Sequence, residues 1–240
     1  KYQAFPTLKM SARQWPDRAI EEAPIWASVD LRDGNQALIE PMSVEQKKKL
    51  FALLLKVGFK EIEVGFPAAS QPDFDFVRWV IEEQQVPDDV TLQVLTQARP
   101  ELIERTFASL KGARRAIVHI YNSTSTVQRE QVFKVDKQGI IDIAVAGAKK
   151  VKSEAAKAPE TDWVFQYSPE SFTGTEIDFA VEVVDAVTEI WEPSASRPAI
   201  INLPATVEMS TPNVFADQIE WFCQHIQRRE AIIVSVHTHN

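Results

Sequence analysis

Two imidazoles stand two residues apart where an apolar run gives out: Ala231 to Val236 leads directly into His237, Thr238 and His239. Side chains on a strand alternate between faces, so residues two apart project to the same side. Such a pair is a grip for a divalent metal ion. A second apolar run, Ile25 to Leu31, leads into Arg32 and Asp33. If the two strand ends share one rim of a barrel, the Asp33 carboxylate adds an oxygen ligand to the two nitrogens. Two histidines and one carboxylate leave coordination positions open, so such a site binds an ion and still admits a substrate. The competing reading of His-x-His at a strand end is a pair of half-buried histidines with no ion.

Further residues carry chemistry at the ends of other apolar runs. Arg32 beside Asp33 is unusual, because neighbours on a strand face opposite sides; either the backbone turns there, or Arg32 leaves the lumen to pair with a helix carboxylate outside. Glu63 lies inside Glu61-Ile62-Glu63-Val64-Gly65-Phe66-Pro67. A carboxylate buried in a strand needs a cation, and Arg32 is the candidate. His119, between Val118 and Ile120, reads first as a satisfied core histidine. Glu170 follows Tyr167-Ser168-Pro169, where a partly desolvated carboxylate is placed to act as a base, or else is a surface acid. Thr206 either binds a carboxylate or caps a turn. His225 falls among polar helix residues and is assigned to a solvated face.

The elements that must position these residues are seven short, β-branched runs: Ile25 to Leu31, Glu61 to Phe66, Thr91 to Leu95, Ala116 to Tyr121, Trp163 to Tyr167, Ala199 to Leu203 and Ala231 to Val236. Helical patterns separate them. Ser43 with Gln46 forms a capping box, Leu50, Leu53, Leu54 and Val57 follow, and Gly58 stops the helix. Pro100 and Pro212 sit at first helical positions, the second behind the cap candidate Thr211. Strand and helix alternating this often predict an α/β protein with a parallel sheet. No GxGxxG follows the first strand, which argues against an open dinucleotide-binding sheet. The polar residues gather at strand C-termini, the rim that holds the active site in (β/α)8 barrels. The expectation is a TIM (β/α)8 barrel over residues 25–240, incomplete at its C-terminus for want of an eighth strand, with residues 1–24 as an N-terminal extension.

Composition narrows the function classes. The 240 residues with 45% hydrophobic content suffice for one large core. Against 26 basic residues stand 34 acidic ones, a net charge of −8, and no basic stripe is interleaved with aromatics, so no nucleic-acid partner is expected. Cys223 is the single cysteine; with no disulfide framework, and with Trp221 and Phe222 beside it, a buried, unreactive thiol is expected. The N-terminus lacks an apolar h-region, and no apolar stretch approaches a membrane span. A soluble, intracellular protein without a membrane partner is the expectation.

Taken together, Asp30-Leu31-Arg32-Asp33-Gly34-Asn35-Gln36-Ala37-Leu38, Glu63-Val64-Gly65-Phe66-Pro67, Tyr167-Ser168-Pro169-Glu170 and His237-Thr238-His239-Asn240 resemble the α-isopropylmalate synthases. These belong to a metal-dependent barrel family that also holds homocitrate and citramalate synthases and the hydroxymethylglutaryl-CoA lyases. The likeness runs along essentially the whole chain, and the leader with Arg13-Gln14-Trp15-Pro16-Asp17-Arg18 is similar to the long N-terminal arm of the actinobacterial and fungal branch. The resemblance implies a cytoplasmic homodimeric acyltransferase of leucine biosynthesis that condenses acetyl-CoA, as co-substrate, with 2-oxoisovalerate. It implies Asp33, His237 and His239 as ligands of a divalent metal, Mg, Mn or Zn. Arg32 would help hold the polarised keto oxygen and Glu63 would orient Arg32. His119 and Thr206 would contact the keto acid, and Glu170 would serve in the acid/base set that enolises the acetyl methyl.

The chain departs from the family pattern in what it lacks. The family's further asparagine metal ligand belongs to a Gly-rich stretch beyond the seventh strand that does not occur here, and Asn240 is not that residue. The eighth strand, the linker subdomain and the leucine-sensing C-terminal domain are also missing. Two readings stay open: a catalytic-barrel segment of an acyltransferase, or a non-catalytic truncated homologue. Homocitrate or citramalate synthase chemistry is the enzymatic alternative.

Overall fold

The computed structural model describes residues 4–239, so Asn240 lies outside the described residues. In chain order the elements are β1 (Ala27–Ser28), α1 (Val44–Val57), β2 (Glu61–Gly65), α2 (Gln71–Glu82), β3 (Thr91–Gln97), α3 (Pro100–Ser109), β4 (Arg115–Ser123), α4 (Thr126–Gln128), α5 (Lys137–Ala155), β5 (Asp162–Glu170), α6 (Ile177–Trp191), β6 (Ala199–Pro204), α7 (Pro212–His225) and β7 (Ile232–His237). The strands run in sequential order, β1 to β7. A doubly wound sheet would reverse its order at a switch point. Seven parallel strands in sequence with helices between them are instead the (β/α)8 pattern carried through its seventh strand. Among the described residues no helix is long and apolar enough to cross a membrane.

Two compact units divide the chain. One takes Ala23–Ile120 and Ala146–Phe165, the other Lys1–Glu22, Tyr121–Val145 and Gln166–Asn240.

In the first unit β2 pairs in parallel with both β1 and β3. Ile62, Val64, Leu92 and Val94 are buried on the strands, with Phe51, Phe76, Val77, Val80 and Ile103 buried on the helices. Phe51 meets Phe76 edge-to-face with centroids 6.2 Å apart. The capping box at α1 is present in full: the Gln46 N–H donates to Ser43 Oγ at 3.3 Å and the Ser43 N–H to Gln46 Oε1 at 2.8 Å. Gly58 ends that helix in the left-handed region, φ 104°, which a residue with a Cβ enters only with strain.

The first strand is much shorter than the apolar run from Ile25 to Leu31. Ile25 and Trp26 are 68% and 69% exposed. After Ser28 the chain winds up: the Val29 carbonyl accepts the N–H groups of Arg32 at 3.2 Å, Asp33 at 2.8 Å and Gly34 at 3.3 Å, making a wide helical turn over Asp30–Gly34. The Ser28 hydroxyl donates to the Asp30 carboxylate at 2.6 Å, a local polar bond that competes with strand pairing. Leu31, the last apolar residue of the run, is fully buried and pins the turn.

In the second unit β6 pairs in parallel with β5 and β7. Tyr167, Phe172, Phe179, Val183, Ile201, Leu203 and Phe222 fill its interior, with Phe172 edge-on to Phe222 at 5.9 Å. Pro212 opens α7 as expected, but Thr211 caps it by backbone conformation alone, without a side-chain bond. Cys223 is half-buried rather than buried, and burial pushes its thiol up, which keeps it protonated and inert. His225 is exposed and stacks on Trp221.

The described residues of the leader contain no strand. It docks on α7: Asp217, only 3% exposed, accepts from Arg13 Nε at 2.7 Å, Arg13 Nη2 at 2.8 Å and Trp15 Nε1 at 2.8 Å, while Glu220 accepts the N–H groups of Gln14 and Trp15. Replacing Asp217 with Ala is therefore expected to free the leader and make trypsin cleave at Arg13 and Arg18 several-fold faster. Equal cleavage rates in the two proteins would show that Asp217 does not hold it.

Candidate functional site

The first unit carries a buried polar network built on Glu63. This residue is wholly buried in β2. Its Oε1 accepts from Arg32 Nε, and its Oε2 accepts from Gln93 Nε2 and lies 3.0 Å from His119 Nδ1. Gln93 is the cross-strand partner of Glu63 in the parallel register, so the two side chains stand on one face of the sheet. Burial alone would raise the Glu63 carboxyl, but the Arg32 charge, then the His119 and Gln93 bonds, outweigh it and hold the group at about 2. An ionised carboxylate can only accept, so the His119 Nδ1 carries the proton it donates.

The wide turn at the end of β1 explains how Arg32 and Asp33 act together. Strict strand alternation would send them to opposite faces. On the turn they are consecutive helical residues, and Arg32 Nη1 donates to Asp33 Oδ1 at 2.7 Å while Arg32 Nε holds Glu63. This excludes an Arg32 paired with a helix carboxylate outside the barrel. Arg32 is only 9% exposed. Among the described residues Arg32 bonds through Nε and Nη1, and no acceptor is bonded to its Nη2.

The second unit holds the other rim residues expected from sequence. Glu170 closes β5, half-buried, and its Oε2 accepts from the Ser123 hydroxyl; its backbone carbonyl accepts from Thr124 N at 3.1 Å and Oγ1 at 3.2 Å. It is thus a placed carboxylate rather than a free surface acid. Thr206 Oγ1 accepts the Ser171 N–H at 3.1 Å, so it caps the turn that follows Glu170. Pro204 pairs with His237 across β6 and β7, and the Ala205 N–H donates to the His237 carbonyl at 2.9 Å. His237 and His239 lie on one side with near-parallel rings, centroids 4.7 Å apart and planes 11° apart. Alternation at the strand end brought them together as the spacing required.

Sequence reasoning missed Gln93 and Ser123. The signal for Gln93 was present: a primary amide in the middle of the buried run from Thr91 to Leu95 has to find partners. Ser123, at the end of β4, had no such mark.

The charge of Glu63 sets a sign for pH dependence. Its carboxyl is depressed in the folded state, so its contribution to stability is fully present above the ordinary carboxylate range and lost as pH falls toward about 2. Glu63→Gln, with Arg32 left without its buried partner, is expected to lower the unfolding free energy by about 3–5 kcal/mol at neutral pH. The gap from wild type should narrow in urea titrations carried from pH 5 down to pH 2. A gap that stays constant over that range would mean Glu63 is not ionised in the fold.

A family model described as HMGL-like matches residues 23–240. Over all of its length the chain is 61% identical, across 240 residues, to a protein of Parvibaculum lavamentivorans named 2-isopropylmalate synthase, covering 43% of that protein. Identity to the 2-isopropylmalate synthase of Alcanivorax borkumensis is 62% with the same coverage. With that of Clostridium acetobutylicum it is 57% over 242 residues, again covering 43% of the relative. The chain therefore spans less than half the length of these curated relatives, and the matches include the leader.

Proposed function

Because the chain belongs to the HMGL-like family, we propose that it is the catalytic-barrel part of a 2-isopropylmalate synthase, working in a cytoplasmic homodimer on acetyl-CoA and 2-oxoisovalerate. The observation that carries this reading is the identity of about 60% along every segment of the chain, leader included, to relatives bearing that name. In the reaction the acetyl methyl loses a proton, the resulting carbanion adds to the keto carbon, the new alkoxide takes up a proton, and water hydrolyses the thioester to release 2-isopropylmalate and CoA.

Asp33, His237 and His239 would hold a divalent ion. Their donors fit one: a carboxylate oxygen and two imidazole nitrogens suit Mg, Mn or Zn, and the parallel rings of His237 and His239 stand within reach of a single ion. When bound, the ion supplies Lewis-acid polarisation of the keto acid.

The chain's own residues do the rest. Arg32, anchored through Nε and Nη1, presents Nη2 to the oxygen on which negative charge grows as the carbon–carbon bond forms. Glu63 fixes the guanidinium plane, and its charge keeps His119 protonated at Nδ1. His119 and Thr206 bind the keto acid. Glu170, oriented by Ser123, takes part in moving the methyl proton.

CoA release from acetyl-CoA and 2-oxoisovalerate by the complete protein, measured with and without added metal, tests this reading; no release with any of the three metals sinks it. His237→Ala and His239→Ala are each expected to abolish turnover and weaken metal binding while the unfolding midpoint stays near wild type. Normal activity of either variant at limiting metal would remove it from the ligand set. Arg32→Lys keeps the charge but not the planar fork that reaches two partners at once, so kcat should fall by about 10²–10³-fold with little change in KM. A change confined to KM would assign Arg32 to ground-state binding.

A further inference from the structure

The strand that bears Glu63 is also bonded, just past its end, to a helix. The register between β2 and β3 slips directly after it: Glu63 pairs with Gln93, but Gly65 pairs with Val94, so two steps on β2 answer one on β3. Val64 is the extra residue of a β-bulge, a device that re-aims neighbouring side chains and leaves backbone groups without ladder partners. Past the bulge, the Phe66 N–H donates to Asp73 Oδ2 at 2.7 Å. Asp73 stands in the first turn of α2, its own N–H donating to the Ser70 hydroxyl at 3.2 Å. Its other oxygen accepts from Lys47 Nζ, and Lys47, from α1, is only 1% exposed.

Gly65 is what lets this carboxylate approach. A Cβ on Gly65 would come within 2.9 Å of Asp73 Oδ2 and 3.1 Å of its Cγ, closer than carbon tolerates. The segment beyond is braced too, since Arg105 donates to the Pro67 carbonyl at 3.3 Å and to Gln71 Oε1 at 2.6 Å. A fully buried lysine costs stability unless its partner is held in place, and here the partner is fixed by a backbone N–H of the bulged strand.

We propose that Asp73, seated against Gly65 and clamped by Lys47, is a positioning residue: it fixes the bulge in β2 and through it the aim of Glu63 at Arg32. The proposal rests on the reading of Arg32 as the group that meets the keto oxygen. Neither Asp73 nor Lys47 touches the substrate. Their effect is expected in kcat, through the angle at which Arg32 is presented, and not in the KM for 2-oxoisovalerate.

The test uses paired variants of the complete protein, so that Lys47 is never left buried and unpaired. Asp73→Asn with Lys47→Met keeps an oxygen for the Phe66 N–H and should retain kcat within about threefold, whereas Asp73→Ala with Lys47→Met removes that oxygen and should lower kcat by about 10–100-fold with KM and metal affinity little changed. Gly65→Ala in the wild-type background should show the same kcat loss. Added to Asp73→Ala with Lys47→Met it should do little more, because the Cβ then has room; such non-additivity marks one shared contact. Equal kcat in the Asn and Ala pairs, or fully additive losses for Gly65→Ala, would overturn the proposal. If the wild-type protein releases no CoA, the synthase reading fails, and crystals of the Asp73→Ala, Lys47→Met protein then decide the positioning claim. Arg32 and Glu63 displaced together with Gly65 would sustain it, and the pair unmoved would overturn it.

Discussion

A fully buried carboxylate in the middle of a strand is the constraint on which the first unit is arranged. Glu63 has no water to solvate it, so the fold must supply a cation and hydrogen-bond donors at once. Each comes from a different element: Arg32 from the turn after β1, Gln93 from β3 and His119 from β4. Four segments far apart in sequence are thereby committed to one geometry. Well-packed apolar residues in place of Glu63 and Arg32 together would leave a fold of comparable stability, whereas removing one partner alone would not. What the charge contributes is a guanidinium with a fixed plane and a histidine with a fixed tautomer.

The helices enter the same arrangement through the backbone. Lys47 on α1 and Asp73 on α2 reach the end of β2, so the outer layer is tied to the strand that bears Glu63. Gly65 is small because Asp73 occupies the space its side chain would take. The motif Glu-Val-Gly-Phe-Pro thus reads as one device: a carboxylate to hold Arg32, a bulge to aim it, a glycine to admit the carboxylate that holds the bulge, and a proline whose carbonyl is braced by Arg105.

Much of this was legible in the residues. Periodicity marked all seven strands, because a parallel sheet covered by helices reads as short apolar runs. The capping box at Ser43 and the stop at Gly58 marked α1, because their bonds are local. The pairing of Glu63 with Arg32 followed from electrostatics alone. What could not be read was the winding of the chain after Ser28: Ile25 to Leu31 alternates apolar residues with Ser28 and Asp30 as a strand would, and nothing in that pattern reports that three amide groups converge on the Val29 carbonyl. Ser123 and Asp73 were also hidden, since a hydroxyl at a strand end and an acid in the first turn of a helix are ordinary in those places. Their importance comes from what lies opposite them, and spacing along the chain does not record that.

Placing two polar side chains on one side is solved here in two ways. His237 and His239 use the period of a strand, which needs an intervening residue, Thr238, and yields parallel rings. Arg32 and Asp33 are adjacent, and a strand would have separated them; the wide turn brings them into contact instead, at 2.7 Å. The difference matters for what each pair can do. Imidazoles at strand spacing point the same way and stack on each other. An arginine and an aspartate at turn spacing bond each other, which fixes the guanidinium. An acid so placed orients the guanidinium directly, a contact that a strand continued through Arg32 would have prevented.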